Sequence, residues 1–95
     1  MNKKIYNAVS ERAGGLCELC GQYKPLSLHH IIGGQGKRRQ HETVESCIML
    51  CVDCHEAVHK DFRIDRALKK ILQVVYAKQG YNETEIRRMM GGKLY

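Results

Sequence analysis

Cys51-Val52-Asp53-Cys54-His55-Glu56-Ala57-Val58-His59 is the stretch on which the reading of this 95-residue chain turns. Cys51 and Cys54 have the spacing at which two thiolates can hold one tetrahedral ion. If the segment opens a helix, His55 and His59 stand one turn apart on one face, close enough to chelate a second ion. Cys51-x-x-Cys54-His55 also fits the Cys-x-x-Cys-His pattern of covalent haem attachment. That attachment normally requires export, and Met1-Asn2-Lys3-Lys4-Ile5-Tyr6 lacks the continuous apolar run of a secretory leader.

Working outward, a matching pair lies upstream. Cys17-Glu18-Leu19-Cys20-Gly21 reads as a tight knuckle, with Gly21 available for the positive φ that such turns often need. Cys20 and Cys51 are separated by 30 residues, so one zinc ion bound by Cys17, Cys20, Cys51 and Cys54 would close a long loop and couple folding to metal. Free or redox-active thiols are the competing reading, but no βαβ pattern surrounds either pair. Cys47 stands alone and reads as a small buried hydrophobe.

Between the pairs, Leu26 to Ile32 and Val44 to Leu50 are short apolar or β-branched runs and predict two partnered strands. His29 and His30 are adjacent on the first, where neighbouring side chains point to opposite faces, so one can join His55 and His59 while the other reaches elsewhere. Three neutral imidazoles with open positions suit Lewis-acid chemistry more than a purely structural site. In the competing reading, the histidines only complete zinc sites or cap elements. The linking segment, Gly33 to His41, carries Lys37, Arg38 and Arg39, either phosphate contacts or a solvated charge run. Its glycines do not have the spacing of a nucleotide-binding phosphate loop, and His41 has no assigned role.

Toward the N-terminus, residues 2 to 13 predict a short helix stopped by Gly14-Gly15. Downstream, Asp53 and Glu56 suggest a capping box. Ile64, Leu68, Ile71, Leu72 and Val75 recur at helical spacing, predicting one helix from about Cys54 to about Gln79. Gly80 would stop it, and Asn82 with Glu85 would cap a last helix ending near Gly91-Gly92. Val74, Tyr76 and Ala77 would either form a dimer face or pack on that last helix. The expected whole is one α+β domain over residues 1–95, with its motif core at 17–59 and a helical extension at 60–95.

A chain this short, 43% apolar with one Phe and no Trp, predicts a thin core that needs a staple. With no secretory leader and no apolar span, the expectation is a soluble cytoplasmic protein with reduced thiols. The net charge of +6 is uneven: residues 60–95 carry 9 Lys/Arg against 4 Asp/Glu, whereas 1–59 carry 7 against 6. Four thiolates and two dications cancel, so the basic balance survives metal binding. A polyanion is the natural partner. Lys60, Arg63, Lys69, Lys70, Arg87 and Arg88 would either extend its footprint or serve solubility.

Taken together, His29-His30-Ile31-Ile32, then Glu45-Ser46-Cys47-Ile48-Met49-Leu50-Cys51-x-x-Cys54-His55-x-x-x-His59, resembles the HNH nuclease motif in its four-cysteine, ββα-metal form. The resemblance covers residues 17 to 59. It implies a small ββα-metal domain with a four-cysteine structural Zn²⁺, and a catalytic divalent ion (Mg²⁺, Mn²⁺, Ni²⁺ or Zn²⁺) on His29, His55 and His59. His30 would then be the general base of a one-metal hydrolysis of DNA phosphodiesters that leaves 5′-phosphate and 3′-hydroxyl ends. Such nucleases usually carry Asn five positions before the third cysteine, where it props a loop and orients the base. This chain has Ser46, which keeps a hydroxyl but has a shorter reach. A zinc-stabilised DNA-binding module that no longer cuts is the alternative. Small free-standing members often occur in bacteriophages, sometimes beside packaging genes, which implies phage packaging proteins as partners and the host cytoplasm as location.

Overall fold

The computed structural model describes residues 2–33 and 41–95. Lys37, Arg38 and Arg39, the candidate phosphate contacts, lie outside the described residues. Among those described, helix α1 (Lys3–Ala13) is followed by strands β1 (Leu26–His30) and β2 (Cys47–Cys51). Helices α2 (Val52–Lys60), α3 (Phe62–Lys78) and α4 (Glu83–Met89) complete the chain. The strands pair antiparallel, with Leu28 opposite Met49, His29 opposite Ile48 and His30 opposite Cys47. No helix is long and apolar enough to cross a membrane.

Every residue of β2 is buried because both faces of the hairpin are covered. Cys47 and Met49 point to one side, where they meet Val9 and Ala13 of α1 together with Ile5, Leu26, Leu28 and Val44. Ile48 and Leu50 point to the other, into a larger cluster with Val58, Leu68, Leu72, Tyr76, Ile86 and Met90 from the three C-terminal helices. The alternation of a strand thus assigns successive residues to two cores. Asn2 starts α1 by accepting from the backbone N–H of Lys4 and Ile5, and Gly14, at φ 60°, ends it. Gly15 is constrained twice, by φ +83° and by the ring of Tyr23, which would stand 2.8 Å from any added Cβ.

Arg12 fastens α1 to the hairpin. Its guanidinium donates to both carboxylate oxygens of Glu18 at 2.7 and 3.0 Å, and to the carbonyls of Val44 and Cys47 at 2.9 and 2.6 Å. Glu18 in turn accepts from the backbone N–H of Met49 at 2.9 Å, while its own N–H donates to the Met49 carbonyl. The cysteine knuckle is therefore docked on the open side of β2 by hydrogen bonds as well as by sulfur.

The expected long helix is two helices. Asp61 leaves helical dihedrals at φ −115° and ψ 103°, and its carboxylate caps α3 by accepting from the Arg63 N–H. Apolar spacing persists across this single-residue break, so periodicity alone ran through it. The expected Asp53–Glu56 capping box is also replaced: α2 starts at Val52 directly from β2, with Cys51 at the N-cap and no side-chain cap. The Asp53 carboxylate instead accepts from Lys24 Nζ at 3.2 Å. Both strands also differ from expectation. Ile31 and Ile32 leave the β1 ladder while remaining buried, and Val44 to Ser46 form a turn before β2. The Asn82–Glu85 capping box is present and opens α4. Tyr76 is buried, whereas Val74 and Ala77 are exposed, so these three do not share the face expected of them.

Candidate metal centres

The knuckle and the junction of β2 with α2 bring Cys17, Cys20, Cys51 and Cys54 together, with their sulfurs all within 4.8 Å of one another. Cys20 Sγ and Cys51 Sγ are 3.9 Å apart. Zinc–sulfur bonds of about 2.3 Å in a tetrahedron place sulfurs about 3.8 Å apart, so the spacing fits. Gly21 takes φ 78° to turn the knuckle, and its N–H donates to the Cys17 carbonyl at 2.8 Å. Burial pushes the Cys17 thiol up, but backbone N–H groups of Cys20, Cys51 and Leu19 outweigh it and bring the thiol below its ordinary range. Burial and the three neighbouring sulfurs push Cys54 up. Four thiols crowded in this way favour a dication that displaces their protons. The cluster can hold a metal ion such as zinc. Cys47, at the other end of β2, is fully buried with Val9, Ala13 and Met49, and burial pushes its thiol up to about 11.

A second group forms where β1 meets α2. His29, His55 and His59 each offer a donor atom within 4.8 Å of the other two. Their ring centroids are 4.9 to 5.5 Å apart. His29 is buried, and its Nε2 has no hydrogen-bond partner among the described residues. An orphaned buried nitrogen is costly unless something else occupies it, and an ion shared with His55 and His59 would do so. Burial, and then the neighbouring His55 and His59, pull the His29 imidazole down to about 4; burial and His59 lower His55. Both rings are thereby kept in the neutral form that ligates metal. The donor set fits a divalent ion.

Sequence reading missed Ser27. Its hydroxyl lies 2.8 Å from His55 Nδ1, which turns the other ring nitrogen toward the group. The available signal was strand alternation, since Ser27 and His29 share a face of β1.

His30 lies opposite Cys47, on the α1 side of the hairpin, and its Nε2 is 2.6 Å from Glu42 Oε2. Its side chain is 9% exposed and that of Glu42 10%. The hydrogen bond with His30 holds the Glu42 carboxyl below its ordinary range, against the opposing effect of burial. The Ser46 hydroxyl, at the position where the resemblance implies a side chain that props a loop and orients the base, bonds with the turn that precedes it. It donates toward the carbonyls of His41 and Thr43 at 3.0 and 3.1 Å, and accepts from the Thr43 N–H at 2.9 Å. Its own carbonyl accepts from the Ile31 N–H at 2.8 Å. Thr43 Oγ1, 2.6 Å from Tyr76 OH, ties the same turn to α3.

A cleft of about 320 Å³ is lined by His29, His30, Val58, His59, Phe62, Asp65 and Lys69. Lys69 is held by Asp65 at 2.8 Å and lies 5.1 Å from the centroid of the Tyr95 ring. Of the other basic residues, Arg63 is paired with the Asp61 cap and Arg87 with Glu83, while Lys60, Lys70 and Arg88 are exposed. His41 lies near Gly91 and shares a surface pocket with Arg88 and Met89. Comparison of the chain with models of protein families, with curated proteins and with solved structures found no match.

Proposed function

We propose that the chain is a metal-dependent endonuclease of the HNH type that hydrolyses DNA phosphodiester bonds. The observation that carries this reading is one cleft lined by His29, His30, His59, Asp65 and Lys69, because it gathers two of the three metal donors, the neighbouring histidine and a lysine. A divalent ion held by His29, His55 and His59 would supply Lewis-acid stabilisation of charge on the phosphate. Lys69, paired with Asp65 in the free protein, would exchange that partner for a phosphate oxygen when DNA enters. His30 takes a proton from the attacking water as the new P–O bond forms. The P–O3′ bond breaks, its electron pair leaves on the 3′-oxygen, and that oxygen is protonated by solvent. A neutral imidazole can accept a proton in this way through its unprotonated ring nitrogen. The four-cysteine site would hold structural zinc, and Lys37, Arg38 and Arg39 would contact flanking phosphates.

A non-cutting DNA-binding module is the second reading, favoured by the low exposure of His30 and its engagement by Glu42. Supercoiled plasmid incubated with the protein and Mg²⁺, Mn²⁺ or Ni²⁺ separates the two. Nicked or linear product is expected from the wild type, and a loss of about 100-fold or more from His30→Ala with zinc content unchanged. Plasmid binding without cleavage under every metal would favour the second reading.

A further inference from the structure

We propose that Glu42 is the positioning residue for His30, fixing its ring with Nδ1 bare and Nε2–H donated to the carboxylate. The inference rests on the reading of His30 as the proton acceptor in cleavage. An ionised carboxylate has no proton to give, so the 2.6 Å contact requires the ring to be the donor. The neutral imidazole then has its lone pair on Nδ1. Once Nδ1 has taken a proton from water, the imidazolium lies against a negative charge already in place.

The fold supplies the carboxylate from an unexpected direction. Glu42 belongs to the turn entering β2, and that turn is closed by Ser46, whose hydroxyl spans His41 and Thr43 on either side of it. Ser46 therefore acts on His30 at one remove, through the residue its turn presents. His30, Glu42 and Cys47 also form a group of possible metal donors. A hydrogen-bonded pair explains the contact better, since two ligands of one ion with bonds near 2 Å stand about 3 Å apart. The Cys47 thiol is moreover fully buried.

The test uses the full chain loaded with zinc, in five forms: wild type, Glu42→Ala, Glu42→Gln, Glu42→Asp and His30→Ala. Plasmid cleavage with Mn²⁺ gives kcat and KM, and nitrogen-15 NMR of the histidine rings gives the tautomer. Glu42→Ala should lower kcat by about 10- to 100-fold with KM within about twofold, and should mix the His30 tautomers. Glu42→Gln keeps an acceptor oxygen at the same reach but removes the charge, so it should hold the tautomer better than alanine while its kcat stays well below that of the wild type. Glu42→Asp is too short and should resemble the alanine variant. Wild-type cleavage by Glu42→Ala, alongside loss in His30→Ala, would overturn the role of Glu42 alone. Undiminished cleavage by His30→Ala would overturn the base assignment and this role with it. A wild-type His30 protonated on Nδ1, or a third tightly held ion lost in Glu42→Ala, would also overturn the proposal.

Discussion

Ser27 Oγ and His55 Nδ1 lie 2.8 Å apart, joining the exposed edge of β1 to the first turns of α2. Histidines that ligate metal commonly have their second nitrogen held in this way, which fixes both ring orientation and tautomer. Ser27→Ala should therefore weaken a divalent ion at His29, His55 and His59 by about 10-fold while leaving thermal unfolding nearly unchanged, because Ser27 is exposed. Calorimetric titration of zinc-loaded protein with Ni²⁺ or Co²⁺ measures this. Equal affinity in both proteins would remove Ser27 from the site.

The four sulfurs join the knuckle to the β2–α2 junction, and Cys17 and Cys51 are themselves members of the larger core cluster. Chelation of the metal, or Cys54→Ser, should accordingly abolish the cooperative thermal transition seen by circular dichroism. Cys47→Ser is the internal control. It should keep zinc and lose only about 1–3 kcal/mol for placing a hydroxyl in an apolar site. If Cys54→Ser melts as the wild type does, the metal is not the staple.

The His29 imidazole is brought down to about 4 by burial, then by His55 and His59. In the unfolded chain it titrates near 6.5, so between those values the unfolded state binds more protons and stability rises with pH. The loss should set in as pH falls below about 6.5 and level off near 4. At about 1.4 kcal/mol per unit it amounts to something on the order of 3 kcal/mol. Denaturant titrations at pH 7, 6 and 5 should show His29→Leu losing less stability than the wild type over this window. Parallel losses in both proteins would contradict the shift.

Local spacing made the donor groups legible, because Cys-x-x-Cys and His-x-x-x-His are geometric statements about a turn and a helix. The start of α1 at Asn2 and its stop at Gly14, the Gly21 turn and the Asn82–Glu85 cap could be read for the same reason. What escaped depended on two segments meeting in space. Glu42 reaches His30 only after the 41–46 turn folds back, and Arg12 spans α1, the knuckle and β2. The break at Asp61 escaped differently: one residue out of register barely disturbs a period of 3.6, and the cap that announces it resembles any other acidic residue between apolar neighbours.

Ser46 is the position at which resemblance and packing disagree most sharply. Its side chain is 2% exposed, and its oxygen bonds with the Thr43 N–H and the carbonyls of His41 and Thr43. Ser46→Ala strips these groups of a common partner and should cost about 1–3 kcal/mol. Through displacement of Glu42, it should also lower kcat for cleavage. Asn, usual at this position in HNH nucleases, is larger than an enclosed site already satisfied by a hydroxyl, so Ser46→Asn should destabilise the fold by about 1–3 kcal/mol rather than improve it. Denaturant midpoints together with plasmid cleavage decide the matter. A more stable and faster Ser46→Asn would mean that the turn holds room for an amide, and that Ser46 weakens a site the packing was thought to complete.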